Sequence, residues 1–296
     1  MRQLGRLLTA MVTPFNEEGK VDYEQAKKLA LALLNSGSEG LVLVATTGES
    51  PTLLREEETR LLTEVKSAVG ERGSVIAYTG SNSTAEALKA TEKAERIGVD
   101  ACLLVVPYYN KPTQEGLYQH FKTIAQGTSL PCILYNVPSR TVTSLSADTT
   151  IKLSHIDNII GVKEASGNLG QISRIISGAR EDFIVWSGND SDTFHILALG
   201  GYGVISVASH LVGNQIKEMI DNFTSGKVDE AASIHRRLLP LIDALFIISN
   251  PIPAKYALNY IGFNVGKPRL PLTEPDEKSA AFIKDTLKNY KIDLPV

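Results

Sequence analysis

The chain has 296 residues, 43% hydrophobic and 21% charged, with a formal net charge of −3. The length suits an α/β barrel of about 250 residues, and the composition is that of a globular protein with a sizeable core. Slight net acidity argues against nucleic acid as the main partner, and no run of about 18 apolar residues is present to span a membrane.

The start, Met1-Arg2-Gln3-Leu4-Gly5, leads toward a strand without a signal-peptide hydrophobic region, so a cytoplasmic location is expected. Cys102 and Cys132 each fall in an apolar run and read as buried, reduced thiols.

Eight apolar, β-branched runs recur, each followed by a helical pattern. The first is Leu7 to Thr13; its helix opens at Asp22, with Gln25 as capping partner, and stops at Gly37. The second, Gly40 to Ala45, runs into Thr46-Thr47-Gly48-Glu49-Ser50, and Glu56, Glu57 and Glu58 supply an acidic first turn for the next helix. Ser74 to Tyr78 is the third, followed by the capping sequence Ser83-Thr84-Ala85-Glu86. The fourth, Ala101 to Val106, ends in Pro107-Tyr108-Tyr109-Asn110, and the fifth, Cys132 to Tyr135, in Asn136-Val137-Pro138-Ser139-Arg140.

The sixth is Ile159-Ile160-Gly161-Val162-Lys163, the seventh Phe183 to Trp186 followed by Ser187-Gly188, and the eighth Gly203 to Ala208. Strands alternating with helices imply βαβ units, and eight of them close a (β/α)8 TIM barrel. An open doubly wound sheet would carry a Gly-rich phosphate loop after its first strand, and Thr13-Pro14-Phe15-Asn16 is not one. Beyond Asn222 strand signals stop. Residues 228–248 and 276–290 read as helices, with Asn250-Pro251-Ile252-Pro253 and Lys267-Pro268-Arg269-Leu270-Pro271 between them as breakers. The expected organisation is a barrel over 1–222 carrying the active site and a C-terminal helical extension over 223–296.

The sixth strand carries the strongest chemical signal. Alternation along it puts Ile159, Gly161 and Lys163 on one face and Ile160, Val162 and Glu164 on the other. An ammonium at the end of a buried strand is costly unless it is paired or can become neutral, and a neutral amine attacks carbonyl groups. Gly161 is expected to leave open space behind Lys163. Barrel enzymes hold their reacting groups at strand C-termini and the loops that follow. Here those positions are Thr46, Thr47, Tyr108, Tyr109, Tyr135, Arg140, Lys163 and Ser187-Gly188.

This ensemble fits imine chemistry on an α-keto acid: a lysine to form the imine, phenols and hydroxyls to relay protons, and a guanidinium to take a carboxylate. Neither metal nor cofactor is expected. The five histidines lack metal-ligand spacing, and Glu49 and Glu164 read as isolated carboxylates.

Ala45-Thr46-Thr47-Gly48-Glu49-Ser50, Pro107-Tyr108-Tyr109-Asn110-Lys111-Pro112, Tyr135-Asn136-Val137-Pro138-Ser139-Arg140-Thr141 and Gly161-Val162-Lys163-Glu164-Ala165-Ser166-Gly167 closely resemble the dihydrodipicolinate synthase (4-hydroxy-tetrahydrodipicolinate synthase) family of class I pyruvate-dependent aldolases. Gln114 to Phe121 and Asn250 to Pro253 extend the likeness over essentially the whole chain. The resemblance implies a homotetramer, a dimer of dimers, that condenses pyruvate with L-aspartate 4-semialdehyde at the first committed step of diaminopimelate and lysine synthesis. It implies Lys163 as the Schiff-base lysine, Tyr135 as proton shuttle, and Thr46 as a bridge from Tyr135 to Tyr109, the latter reaching in from a neighbouring subunit. Thr47 would hold the pyruvate carboxylate and Arg140 the semialdehyde carboxylate; Gly188 and Ile205 would line the pocket. A lysine-binding allosteric cleft would involve Ser50, Pro51, Arg55, Glu58, Asn82, Glu86 and Tyr108. Histidine is common in the family at the positions of Arg55 and Glu58, and its absence here weakens the expectation of lysine feedback.

Two rivals share part of this pattern. A sister aldolase, such as N-acetylneuraminate lyase or a 2-keto-3-deoxy-sugar-acid aldolase, would keep the lysine but has no need of Arg140. A binding protein on the same barrel would have no need of Lys163, Tyr135, Thr46 and Tyr109 together.

Overall fold

In the computed structural model, which describes residues 4–295, strands and helices alternate through the first two thirds of the chain. The reading of Met1, Arg2 and Gln3 lies outside the described residues. The strands are β1 (Leu7–Ala10), β2 (Gly40–Leu43), β3 (Ser74–Tyr78), β4 (Ala101–Val105), β5 (Cys132–Asn136), β6 (Ile159–Glu164), β7 (Ile184–Ser187) and β8 (Gly203–Ser206). They are hydrogen-bonded in sequence order as a closed barrel, and the pairs β1–β2 and β3–β4 through β7–β8 are parallel. The expected (β/α)8 fold is the one found. Nearly every strand residue is buried, which is why the strands read as continuous apolar runs rather than alternating ones.

The helices are α1 (Tyr23–Asn35), α2 (Arg55–Val69), α3 (Thr84–Ile97), α4 (Gln114–Gln126), α5 (Pro138–Thr141), α6 (Ala147–Ser154), α7 (Leu169–Gly178), α8 (Thr193–Ala198), α9 (Ser209–Thr224), α10 (Val228–Leu245), α11 (Ile252–Tyr260) and α12 (Glu277–Leu287). Their starts follow local chemistry. Asp22 accepts the Gln25 N–H at 2.9 Å, Ser83 accepts that of Glu86, and Asp276 that of Ser279 at 2.7 Å, each satisfying a donor the helix itself cannot.

The chain divides into two compact units, one of Ile76–Ile205 and one of residues 4–75 with 206–295. The first contains α3 to α8; the second joins the first two βα pairs to α9 through α12.

Several boundaries differ from expectation for identifiable reasons. The first strand stops at Ala10 rather than Thr13, because the Val12 N–H is given to His210 Nε2 at 3.1 Å and the Thr13 hydroxyl to the Gly48 carbonyl at 2.7 Å. The second stops at Leu43 because Val44 turns to φ 53°. The segment at Pro251 and Pro253, expected as a breaker, opens α11. Pro251 is the N-cap and Pro253 lies in the first turn, where a missing N–H has no helical partner to lose.

His210 is buried between elements of the second unit: its Nε2 accepts from Val12 while its Nδ1 lies 2.8 Å from the Val207 carbonyl and donates to it. Acceptance at Nε2 requires the neutral ring, and burial pulls its pKa down to about 4 although the bond to the Val207 carbonyl pulls it up. Between about pH 6.5 and 4 the unfolded chain therefore binds a proton that the fold refuses, and stability falls as pH falls. The stability gap between wild type and His210→Gln, measured by urea unfolding, is expected to narrow by about 2 kcal/mol between pH 7.5 and 5.0. A gap that does not change with pH would refute the neutral-histidine assignment.

Candidate active site

In the first unit, β5 and β6 are in register so that Tyr135 pairs with Lys163 and Asn136 with Glu164. Alternation then places Tyr135 and Lys163 on one face and Asn136 and Glu164 on the other. The Lys163 side chain is buried, with 5% of its residue surface exposed, and its Nζ lies 4.3 Å from the centroid of the Tyr135 ring. Among the described residues no carboxylate is within ion-pair distance of it. A ring face attracts an ammonium by roughly 0.5–2 kcal/mol, far less than a buried ion pair, so the amine is held without being locked.

The space behind Lys163 is filled, contrary to expectation. A Cβ on Gly161 would collide with the Ile184 carbonyl and come within 2.9 Å of the Trp186 ring. Gly161 is there so that β7 and the fully buried Trp186 can close against β6. The indole forms an apolar floor where an open space was expected.

Arg140 lies on α5, the short helix after β5, and is exposed. Gly188 follows β7 and donates its N–H to the Glu164 carbonyl at 2.7 Å; a Cβ there would lie 2.7 Å from that of Ala165. Ile205 is buried in β8. Tyr109 stands apart from these. It is 89% exposed, on a loop where both it and Lys111 adopt left-handed backbone (φ 73° and 46°). The loop is braced by Asn82 Nδ2 donating to the Tyr108 carbonyl at 3.2 Å and Asn110 Nδ2 donating to the Asn82 carbonyl at 2.8 Å. A bulky residue with positive φ costs on the order of 1–3 kcal/mol, a strain that Val44, Glu49 and Val142 also carry. Glu86 is in the first turn of α3 and pairs with Lys89.

In the second unit, Thr46 is half-buried and Thr47 buried in the turn after β2. The Thr47 hydroxyl accepts from Asn250 Nδ2 at 2.9 Å. Glu49, with φ 58°, is not isolated: its Oε1 lies 2.7 Å from Lys255 Nζ, and its Oε2 accepts the Arg269 N–H at 2.8 Å. Arg269 in turn holds both Glu57 oxygens, at 2.7 and 2.6 Å. Lys255 is wholly buried over the Phe15 ring, and burial pulls its pKa down to about 8 against the pull of Glu49. Sequence reasoning missed this second buried lysine; the signal was a single charge in the otherwise apolar first turns of Ile252 to Leu258. Ser50 and Pro51 form a short 3-10 turn, and Arg55 and Glu58 pair with each other at 2.9 Å on α2.

The two lysines are thus distinguishable by geometry alone. Lys255 is committed to a carboxylate, whereas Lys163 faces a phenol ring. With that arrangement in place, the match to known proteins is direct: the sequence profile of the dihydrodipicolinate synthetase family covers residues 3–290. The chain belongs to this family. It is 70% identical, over the full length of both chains, to the 4-hydroxy-tetrahydrodipicolinate synthase of Dehalococcoides mccartyi. Among solved structures, dihydrodipicolinate synthase from Bacillus anthracis aligns with a TM-score of 0.96 at 44% identity, covering 98% of this chain and 100% of that one. The Cyanidioschyzon merolae enzyme, solved with lysine bound, aligns at 0.95 with 47% identity, covering 97% and 98%. No helix among the described residues is long and apolar enough to cross a membrane.

The Glu49–Lys255 pair gives a testable consequence. Glu49→Leu leaves a buried ammonium without its partner and is expected to cost about 3–5 kcal/mol of stability in urea unfolding, most of it recovered when Lys255→Met is added. A loss below about 1 kcal/mol for the single variant would show that the pair carries no such role.

Proposed function

We propose that this chain is a 4-hydroxy-tetrahydrodipicolinate synthase, a Schiff-base-forming lyase that condenses pyruvate with L-aspartate 4-semialdehyde at the first committed step of diaminopimelate and lysine synthesis. The observation that carries the reading is the buried Lys163 amine, packed on Tyr135 with no carboxylate partner among the described residues, in a chain so similar to synthases of that name.

The chemistry follows from these groups. The Lys163 amine attacks the pyruvate ketone, and water leaves as the imine forms. The imine acidifies the adjacent methyl, which loses a proton to give an enamine, and the enamine carbon attacks the aldehyde. The semialdehyde's own amine then closes the ring and displaces Lys163. Each step moves a proton; in this reading Tyr135 carries it, and the Thr46 hydroxyl and the Tyr109 phenol would complete the relay. Thr47 takes the pyruvate carboxylate, and Arg140 takes that of the aldehyde by a bidentate contact. Gly188 and Ile205 line the pocket.

The exposed, strained Tyr109 supports a role across a subunit boundary, in a homotetramer built as a dimer of dimers. In this reading the barrel of 1–222 carries the site, 223–296 is the helical extension, and the enzyme works in the cytoplasm without cofactor or metal. Ser50, Pro51, Arg55, Glu58, Asn82, Glu86 and Tyr108 are the candidates for a regulatory cleft, and the mutual pairing of Arg55 with Glu58 argues against strong lysine inhibition. The sugar-acid aldolase alternative is disfavoured by Arg140, whose guanidinium matches a carboxylate rather than a polyol.

Borohydride reduction in the presence of pyruvate, followed by mass spectrometry, should place a pyruvyl adduct on Lys163, and Lys163→Ala should abolish it together with condensation. An adduct on Lys255, or none, would overturn the reading. Arg140→Ala should raise the KM for the semialdehyde by about a hundredfold or more while imine formation with pyruvate stays within about threefold of wild type. Equal damage to both would mean that Arg140 is misassigned.

A further inference from the structure

The faces of β5 and β6 turned away from Tyr135 and Lys163 carry a second pair. Asn136 and Glu164 are both essentially fully buried, and they are register partners, one residue beyond the Tyr135–Lys163 pair. Asn136 Nδ2 lies 3.1 Å from each Glu164 oxygen and donates to that carboxylate. The same amide spans the chain at Leu145: its Oδ1 accepts the Leu145 N–H at 3.0 Å, and its Nδ2 is 3.4 Å from the Leu145 carbonyl. A side-chain amide here mimics a backbone partner and closes the loop from Val137 to Ser144 at its base.

Other amides fasten the same point. Gln171 Nε2 donates to the Leu145 carbonyl at 3.2 Å, and Gln114 donates to the Ser144 carbonyl and accepts the Ser146 N–H at 2.8 and 3.0 Å. Glu164 extends the clamp in the other direction. Its Oε1 accepts the Ser166 N–H at 2.8 Å, and its backbone carbonyl accepts the Gly188 N–H. A buried carboxylate is expensive to keep, and burial pushes this one up, against the bonds from Ser166 and Asn136 that pull it down. The bonds from Asn136 and Ser166 offset that cost, and through Asn136 the carboxylate is tied to the base of the loop. That loop carries Arg140.

We propose that Asn136, held by Glu164, is a positioning residue that fixes the Arg140 loop and thereby sets recognition of the aldehyde substrate's carboxylate. This rests on the function proposed above. Successive residues on the same two strands then serve two half-reactions: Tyr135 and Lys163 the imine, Asn136 and Glu164 the aldehyde. A guanidinium displaced by about 1 Å loses bidentate contact, and misplacement on that scale costs up to about 100-fold in rate.

The test uses the full-length enzyme and three variants: Asn136→Asp, Glu164→Gln and the two together. Asn136→Asp sets two carboxylates face to face and removes the donor. It is expected to raise the semialdehyde KM at least about tenfold while borohydride-trapped pyruvyl imine on Lys163 stays within about threefold of wild type. Adding Glu164→Gln restores one donor and one acceptor with reversed polarity, and the KM should return to within about threefold of wild type. Imine trapping in Asn136→Asp monitors folding of the rest of the site. Parallel loss of imine formation and aldehyde use, an unchanged KM, or a double variant no better than Asn136→Asp would each overturn the proposal. A wild-type enzyme that traps no pyruvate, or traps it without condensing the semialdehyde, would instead refute the proposed function, so the two failures are separable.

Discussion

The pairing of Tyr135 with Lys163 across β5 and β6 is the contact on which the rest depends. Register in a parallel sheet is set for a whole strand at once: a slip of one residue would exchange the faces of every side chain on β6 and put Glu164 against the phenol. Gly161 helps to hold that register, since only a residue without Cβ lets the Ile184 backbone and the Trp186 ring close where they do. Burial comes from that packing, and the side chain that meets the amine from the neighbouring strand is a phenol rather than a carboxylate. Together they suit the amine to the carbonyl attack proposed for it.

Lys255 shows what the same residue does when the surroundings differ. It is as deeply buried, but Glu49 lies 2.7 Å away, the Lys267 carbonyl 3.2 Å, and the Phe15 ring beneath it. Every one of those contacts favours an ammonium that stays where it is. Its work is architectural: it anchors α11 to the turn after β2, beside the place where Asn250 holds the Thr47 hydroxyl. Burial alone therefore does not make a lysine nucleophilic. The identity of its nearest neighbour decides.

Much of the architecture was legible in the sequence because each strand is an uninterrupted apolar run between turn residues, and third-strand Ser74 to Tyr78 matches residue for residue. Errors gathered where a long-range side chain takes over a backbone group, as His210 does at Val12, or where a proline that reads as a stop lies at a helix start, as at Pro253. Of the site, Lys163, Tyr135 and Arg140 stood out because charge or phenol at the end of an apolar run is conspicuous. Glu49 and Glu164 read as isolated since their partners, Lys255 and Arg269 for one and Asn136 for the other, are distant in sequence or on the far face of the adjacent strand. Periodicity reports which face a side chain takes; it does not report who meets it there.

The two halves of the site are consequently built by different means. In the proposed reaction the imine half is mounted on strand residues whose positions are fixed by the sheet ladder, and moving them means moving the barrel. The aldehyde half proposed for Arg140 is mounted on a loop held by side chains, Asn136, Gln171 and Gln114, each converging on the two residues either side of Leu145 or on Leu145 itself. A loop fixed in this way can be rebuilt by a few substitutions without disturbing the ladder. On the proposed roles, a barrel of this kind could retain one covalent chemistry while exchanging the partner offered to it, because the first would depend on strand register and the second on a removable set of amides.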